Sequence, residues 1–236
     1  IMDNTAAATP TTSRTIRVWD LPIRIFHWLL VATVLVAFLS AEEESALASW
    51  HVTAGWVAAI LIVFRVVWGF VGGEHARFAQ FLKPWQIGHH LTSLTSSVRD
   101  RSVGHNPLGG IAVIALLTVV ASVIYSGVRT NGDAGEGLHE AFANALLALV
   151  AVHVFAVIAM SMLTRENLIT AFITGRKRAD LHPDVADAHP PMPLAVPVAG
   201  IAVGLAAYSI MAADPAAYTP GVRAEAGEGF DRGDRD

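Results

Sequence analysis

Apolar residues recur along this chain in runs too long for the buried face of a water-soluble helix. Four runs, roughly 24–41, 50–71, 107–128 and 138–163, carry very few charges. About 20 helical residues at 1.5 Å each cross the hydrocarbon of a bilayer, so each run predicts a transmembrane helix. A fifth run, "LAVPVAGIAVGLAAYSIMAA" at 194–213, predicts another. Pro197 near its start is tolerable, because neighbouring helices can satisfy a freed backbone group.

The polar positions between the runs punctuate them. "WDLPIRIFHWLL" opens the first helix, with Pro22 in its first turn and Trp19 and Trp28 suited to a membrane interface. Gly72 and Gly73 end the second, and Asn106 followed by Pro107 caps the third. "YSGVRTNGDAGEG" reads as a glycine-dense outer turn. In the long connection before residue 106, "KPWQIGHHLTSLTSSVR" predicts a helix lying on the membrane surface, with Trp85, Ile87, Leu91 and Leu94 at near-helical spacing. "TRENLITAFITGRKR" is basic and amphipathic and returns to the inner surface, and "ADLHPDVADAHPPMP" is a proline-rich linker. The first 13 residues lack the apolar core of a secretion signal and read as a disordered start.

The expected fold is an all-α integral membrane protein: a four-helix transmembrane bundle and a fifth, C-terminal transmembrane helix. The expected segments are a disordered cytoplasmic N-terminus (1–15), the four-helix domain (16–178), a linker with the fifth helix (179–213) and an acidic periplasmic tail (214–236). Composition agrees, with 53% hydrophobic and 15% charged residues and a mean hydropathy of +0.49.

Charge adds a direction. With the N-terminus inside, the inner segments hold eleven of the sixteen basic residues, Arg14, Arg17, Arg24, Arg77, Lys83, Arg99, Arg101, Arg165, Arg176, Lys177 and Arg178. That bias predicts a multi-pass protein of the bacterial inner membrane, N-terminus cytoplasmic and C-terminus periplasmic. The outer segments are rich in carboxylates, from Glu42, Glu43 and Glu44 to Asp236. They suit a basic partner or simply solvated loops. No nucleic-acid partner is expected.

Cysteine is absent, which excludes disulfides, thiolate-bound clusters and covalent c-type haem attachment. The chemistry rests on histidine. Four of the ten, His27, His51, His139 and His153, fall within predicted spans, where an ionisable group is costly and marks a site. His139 and His153 are 14 residues apart, close to four helical turns, so they share a face about 21 Å apart. By depth, His51 meets His139 near the outer surface and His27 meets His153 near the inner one.

Two imidazoles per layer are too few for zinc, which takes three or four protein ligands. They suit an iron porphyrin, whose own four nitrogens leave two axial positions. Two non-covalent b-type haems with bis-histidine ligation follow, and filled axial positions point to electron transfer. Gly55, one turn after His51, and Ala143, one turn after His139, leave room for a flat macrocycle, although small residues also mark ordinary helix packing. Arg24 and Arg65 lie near the inner layer and suit haem propionates or snorkelling to the boundary. Glu140, beside His139, points elsewhere and is a poor ligand. The other six histidines sit in inner loops; His89 and His90 read as solvated, and His75 or His105 suits proton transfer to an inner quinone site. Arg24, Arg65 and His105 are the candidate quinone contacts.

"VWDLPIRIFHWLL", "HVTAGW", "FRVVWGFVG", "GHNPLGG", "LHEAFANALLALVAVHV" and "RENLITAFITGRKR" resemble the hydrogenase-type di-haem cytochrome b family, grouped with the bacterial cytochrome b-561 proteins, over residues 16–178. The resemblance implies a four-helix bundle with two b-type haems, passing electrons between an outer partner and the quinone pool. It places His27 and His153 on the inner haem and His51 and His139 on the outer one, the pairs already obtained from depth. The expected function is an electron-transfer subunit of a quinone-linked oxidoreductase in contact with lipid, quinone and a periplasmic redox protein such as a c-type cytochrome. Two alternatives are a superoxide:quinone oxidoreductase of the same fold, against which the acidic outer face argues, and a haem-free transporter or structural subunit.

Overall fold

The computed structural model describes residues 14–42, 44–82, 102–129 and 133–221. The expected surface helix between 83 and 99, with His89 and His90, and the tail beyond 221 lie outside these residues. Among the described residues five helices are long and apolar enough to cross a membrane. They are α1 (Leu21–Leu39), α2 (His51–Val71), α4 (Pro107–Val128), α5 (Asp133–Thr164) and α7 (Ala195–Ala213). The described residues also form two short helices, α3 (Phe78–Phe81) and α6 (Leu168–Thr174), and two three-residue strands, β1 (Thr15–Arg17), ahead of α1, and β2 (Arg176–Arg178).

Local chemistry sets the starts. The Asp20 carboxylate accepts from the Ile23 amide ahead of Pro22, and the Asn106 side chain accepts from the Gly109 amide ahead of Pro107. Both caps satisfy amides that a helix start leaves orphaned. One boundary differs from expectation. Helix α5 begins at Asp133, so the second half of the "glycine-dense turn" is helical. A glycine costs a helix only about 1 kcal/mol, and Glu136 in the first turn complements the helix dipole.

The helices pack as two antiparallel hairpins, α1 on α2 and α4 on α5, and α2 is central, touching α1, α4 and α7. Between 139 and 157 of α5 the less exposed positions are 139, 142, 143, 146, 149, 150, 153 and 157. That is one helical stripe, and both histidines lie on it.

The N-terminus is more ordered than expected. Strand β1 pairs antiparallel with β2, Ile16 facing Lys177, and the Ala179 amide donates to the Arg14 carbonyl at 2.9 Å. Residues 14 and 15 therefore belong to the fold and not to a disordered start. The pairing puts the start of the chain and the end of α5 on one face, as four crossings require. Helix α7 makes the fifth crossing. The Met192 amide donates to the Val71 carbonyl at one end, and Trp56 donates to Asp214 at 2.9 Å at the other, so α7 runs antiparallel to α2.

Asp20 ties this face together. Besides capping α1, its carboxylate accepts from the Trp68 indole at 3.2 Å and from the Gly73 amide at 2.8 Å. Trp68 is 1% exposed, and a Cβ on Gly73 would lie 2.4 Å from an Asp20 oxygen, so only glycine allows the approach. A second tie is ionic. Lys177 contacts Glu166 at 2.9 Å and donates to the Ser102 carbonyl at 3.0 Å, while His182 lies 3.3 Å from the same carboxylate. All three are buried, so His182, expected in an inner loop, is an interior group.

The proline-rich segment is likewise a bound strap and not a slack linker. Arg17 and Ala188 exchange contacts through Asp187 and the Arg17 carbonyl, and Glu74 bonds His189.

Replacing Asp20 by Ala is expected to remove about 1 kcal/mol of capping. Leaving the Trp68 N–H buried without an acceptor costs about 1–3 kcal/mol more. A lowered melting temperature of the detergent-purified protein, with its helix content retained, is the check.

Candidate functional site

At one end of the bundle His51, the first residue of α2, faces His139 of α5 with ring centroids 6.0 Å apart and planes at 82°. The two sites are built alike. His51 Nδ1 lies 2.9 Å from the Ala37 carbonyl of α1 and 3.5 Å from Ser40 Oγ. His139 Nδ1 lies 3.0 Å from the Val123 carbonyl of α4 and 3.2 Å from Ser126 Oγ. A carbonyl only accepts, so each Nδ1 carries the proton and donates it. That fixes the tautomer and leaves Nε2 with its lone pair free for a metal, the arrangement usual for ligating histidines.

The spacing fits a shared metal centre. With metal–nitrogen bonds of about 2.0–2.1 Å, two axial imidazoles have centroids roughly 6–6.5 Å apart. Among the described residues no group of three or more His, Cys, Asp or Glu side chains converges to hold an ion. The donor set therefore suits a centre that brings its own equatorial ligands. Space is available too: a Cβ on Gly55, one turn below His51, meets nothing within 4 Å. Glu140 is exposed and offers nothing to this pair.

Sequence reasoning missed three residues here. Ser40 and Ser126 each stand three positions after the accepting carbonyl, in "AFLS" and "VIYS", and the repeated serine before each outer histidine was a usable signal. Gly127 is the third. A Cβ there would lie 3.0 Å from the His139 ring, so any larger residue displaces the imidazole.

The other end is built differently. His27, two turns into α1, packs edge-on to Phe172 of α6 at 4.8 Å and to Trp28 at 5.1 Å. His153 lies within electrostatic reach of it. Several polar atoms here are buried and make no hydrogen bond: His27 Nδ1, Arg65 Nη1, Arg24 Nε and His105 Nδ1. Arg65 is 3% exposed with its guanidinium 4.7 Å from the centre of the Phe78 ring, so it points inward and does not snorkel. A buried guanidinium with an idle N–H suits an anion such as a haem carboxylate. Arg24 donates to the Ile173 carbonyl at the end of α6.

His105 is clamped between Trp19 at 4.7 Å and Phe81 at 4.8 Å. Burial, and then the charges of Arg65, His75 and His153, push its pKa down to about 3. The ring is neutral throughout the physiological range.

Facing imidazoles at His51 and His139, without any cysteine for covalent attachment, fit a membrane cytochrome of the b type. The chain belongs to the prokaryotic cytochrome b561 family, which matches residues 18–175 and so all four histidines; α7 lies beyond the match. Among curated relatives it is 26% identical to a probable Ni/Fe-hydrogenase B-type cytochrome subunit of Azotobacter vinelandii, over 71% of this chain and 90% of that one. It is 23% identical to the protein of the same name from Rhizobium leguminosarum bv. viciae, over 70% of this chain and 89% of that one. The probable Ni/Fe-hydrogenase 1 B-type cytochrome subunit of Escherichia coli K12 is 23% identical over 47% and 57%. No solved structure matches the chain. The protein is thus a multi-pass membrane protein of a b-type haem family whose work is electron transfer, which sets aside the haem-free transporter.

Gly127→Val is expected to crowd His139 off its Val123 carbonyl and lower the b-type haem retained per chain. The dithionite-reduced minus oxidised spectrum of the purified variant measures this.

Proposed function

We propose that the protein carries electrons across the bilayer between a redox protein, docked at the face of His51 and His139, and quinone near His27 and His153. The observation that carries this reading is His51 facing His139 at one end of the bundle, with His27 and His153 within electrostatic reach of each other at the other. His51 with His139 would hold one haem and His27 with His153 a second, both bis-histidine. Haem iron supplies one-electron chemistry at potentials set by its axial ligands and their hydrogen bonds. The protein holds His51 and His139 each in one tautomer and keeps the layers apart.

Arg65, buried with an idle N–H, is assigned to a haem carboxylate of the second layer, and Gly55 to the space beside the first. Arg24 is assigned to the same carboxylates through its unpaired Nε. Quinone is placed at the second layer, where His105 and the two arginines offer polar atoms that the bundle leaves unmatched.

The basic bias of the segments on the face of β1 and β2 supports a cytoplasmic N-terminus in the inner membrane. The His51 face is then periplasmic, with the end of α7 at Asp214 on the same side. The relatives' names support a Ni/Fe-hydrogenase as the redox partner there; a c-type cytochrome is the other candidate, favoured by the carboxylates of that face. The same carboxylates argue against superoxide as substrate.

The test is a haem count. The purified protein should bind two b-type haems per chain, and His153→Ala should lose one while keeping the redox bands of the other. Retention of both haems by His153→Ala would sink the pairing.

A further inference from the structure

We propose that the outward face of the β1–β2 ribbon is a binding site for an anionic phospholipid, whose headgroup phosphate lies between Arg17 and Arg176. In the antiparallel register Arg17 stands directly opposite Arg176. Both are exposed, whereas Ile16 and Lys177 on the other face are buried. Side chains opposed in this way have Cβ atoms about 4.5–5.5 Å apart, and like charges placed there destabilise the pairing. An anion between them turns that repulsion into attraction, and the guanidinium fork matches the oxygens of a phosphate.

The chain does not provide the anion itself. Among the described residues neither guanidinium forms an ion pair, and the carboxylates of adjoining segments are taken. Asp180 pairs with Arg178, Glu166 with Lys177, and Asp187 accepts from the Arg17 backbone amide at 2.7 Å. The two arginines are nevertheless held in place. The Gly175 carbonyl, just before β2, accepts from the amides of Val18 and Trp19, just after β1, at 2.8 and 3.1 Å. Arg176 Nη1 donates to Thr15 Oγ1 at 3.2 Å, which lays its guanidinium along the outward face and leaves its other N–H groups for a ligand.

Depth selects the source of the phosphate. Leu21 and Ile25 of α1 and Ile169 and Ile173 of α6 are exposed apolar side chains, which lipid covers in a membrane. Arg17 precedes Leu21 by four residues and Arg176 follows Ile173 by three. Four residues span no more than about 14 Å, so both arginines lie at the edge of the hydrocarbon, where the headgroups are. In phosphatidylcholine the headgroup's own cation competes with the arginines for the phosphate. Phosphatidylglycerol carries no such cation, so the pair selects a lipid with net negative charge.

The test uses the whole protein with its haems in dodecyl maltoside, mixed with phosphatidylglycerol or phosphatidylcholine. Native mass spectrometry counts the bound lipid, and the melting temperature is read beside it. The unmodified protein should bind phosphatidylglycerol more tightly and be stabilised by it. An arginine near the surface contributes about fivefold to the affinity for an anionic lipid, so R176Q should weaken phosphatidylglycerol about fivefold and R17Q/R176Q about 25-fold. Binding of phosphatidylcholine should be unchanged, and R129Q, at the far end of α4, should behave as the unmodified protein does. Without added lipid R17Q/R176Q should melt no lower than the unmodified protein, since a like-charge pair has been removed. A lower melting temperature there would assign the arginines to holding the ribbon and overturn the proposal. Equal binding of the two lipids by the unmodified protein, undiminished phosphatidylglycerol binding by R17Q/R176Q, or displacement of the lipid by an equal concentration of inorganic phosphate also overturns it. If the double variant does not fold, R176Q alone decides, because it removes one exposed side chain.

Discussion

An imidazole placed in hydrocarbon has to give its N–H to something the protein provides, since no water is there to take it. In this bundle His51 and His139 give it to a backbone carbonyl on the preceding helix, Ala37 and Val123. That one requirement does two things. It locks α1 to α2 and α4 to α5, and it decides which ring nitrogen keeps its lone pair. The hydrogen bonds that join the helices therefore also set the tautomer on which the proposed haem reading depends, and Ser40 and Ser126 reinforce both.

The two ends of the bundle answer the requirement differently. At the His51 and His139 pair the Nδ1 atoms are satisfied. At the other end His27, Arg65, Arg24 and His105 each keep a buried polar atom without a partner, although the surrounding framework is held firmly by Asp20 and by the Glu166–Lys177 pair. Buried polar groups are normally matched, so this concentration of unmatched ones marks where groups other than the chain complete the structure. It is also the end at which the strap, through Glu74 and His189, reaches the surface.

Much of this was legible in the sequence, for reasons of scale. Five apolar runs of about 20 residues have few alternative readings, and the 14-residue spacing of His139 and His153 fixes a shared face whatever else α5 touches. Asn106 and Pro107 announced the start of α4. The parts that escaped depend on contacts between distant, short segments. Three residues of β1 and three of β2 carry no period of their own, and the pairing of Glu166 with Lys177 is visible only once α6 has turned the chain back. Asp20 reads as a local cap, and nothing in its neighbourhood announces Trp68, 48 residues on. Arg65 had two readings, and only its burial separates them.

Because the His51 and His139 rings are each bonded within their own hairpin, the bundle suits stepwise biogenesis. Helices α1 and α2 can leave the insertion machinery as a unit with the His51 ring already bonded, and α4 with α5 as another with His139 bonded. On the bis-histidine reading proposed above, what the halves still lack is a shared ligand for their free ring nitrogens, and capture of a porphyrin would weld two finished pieces.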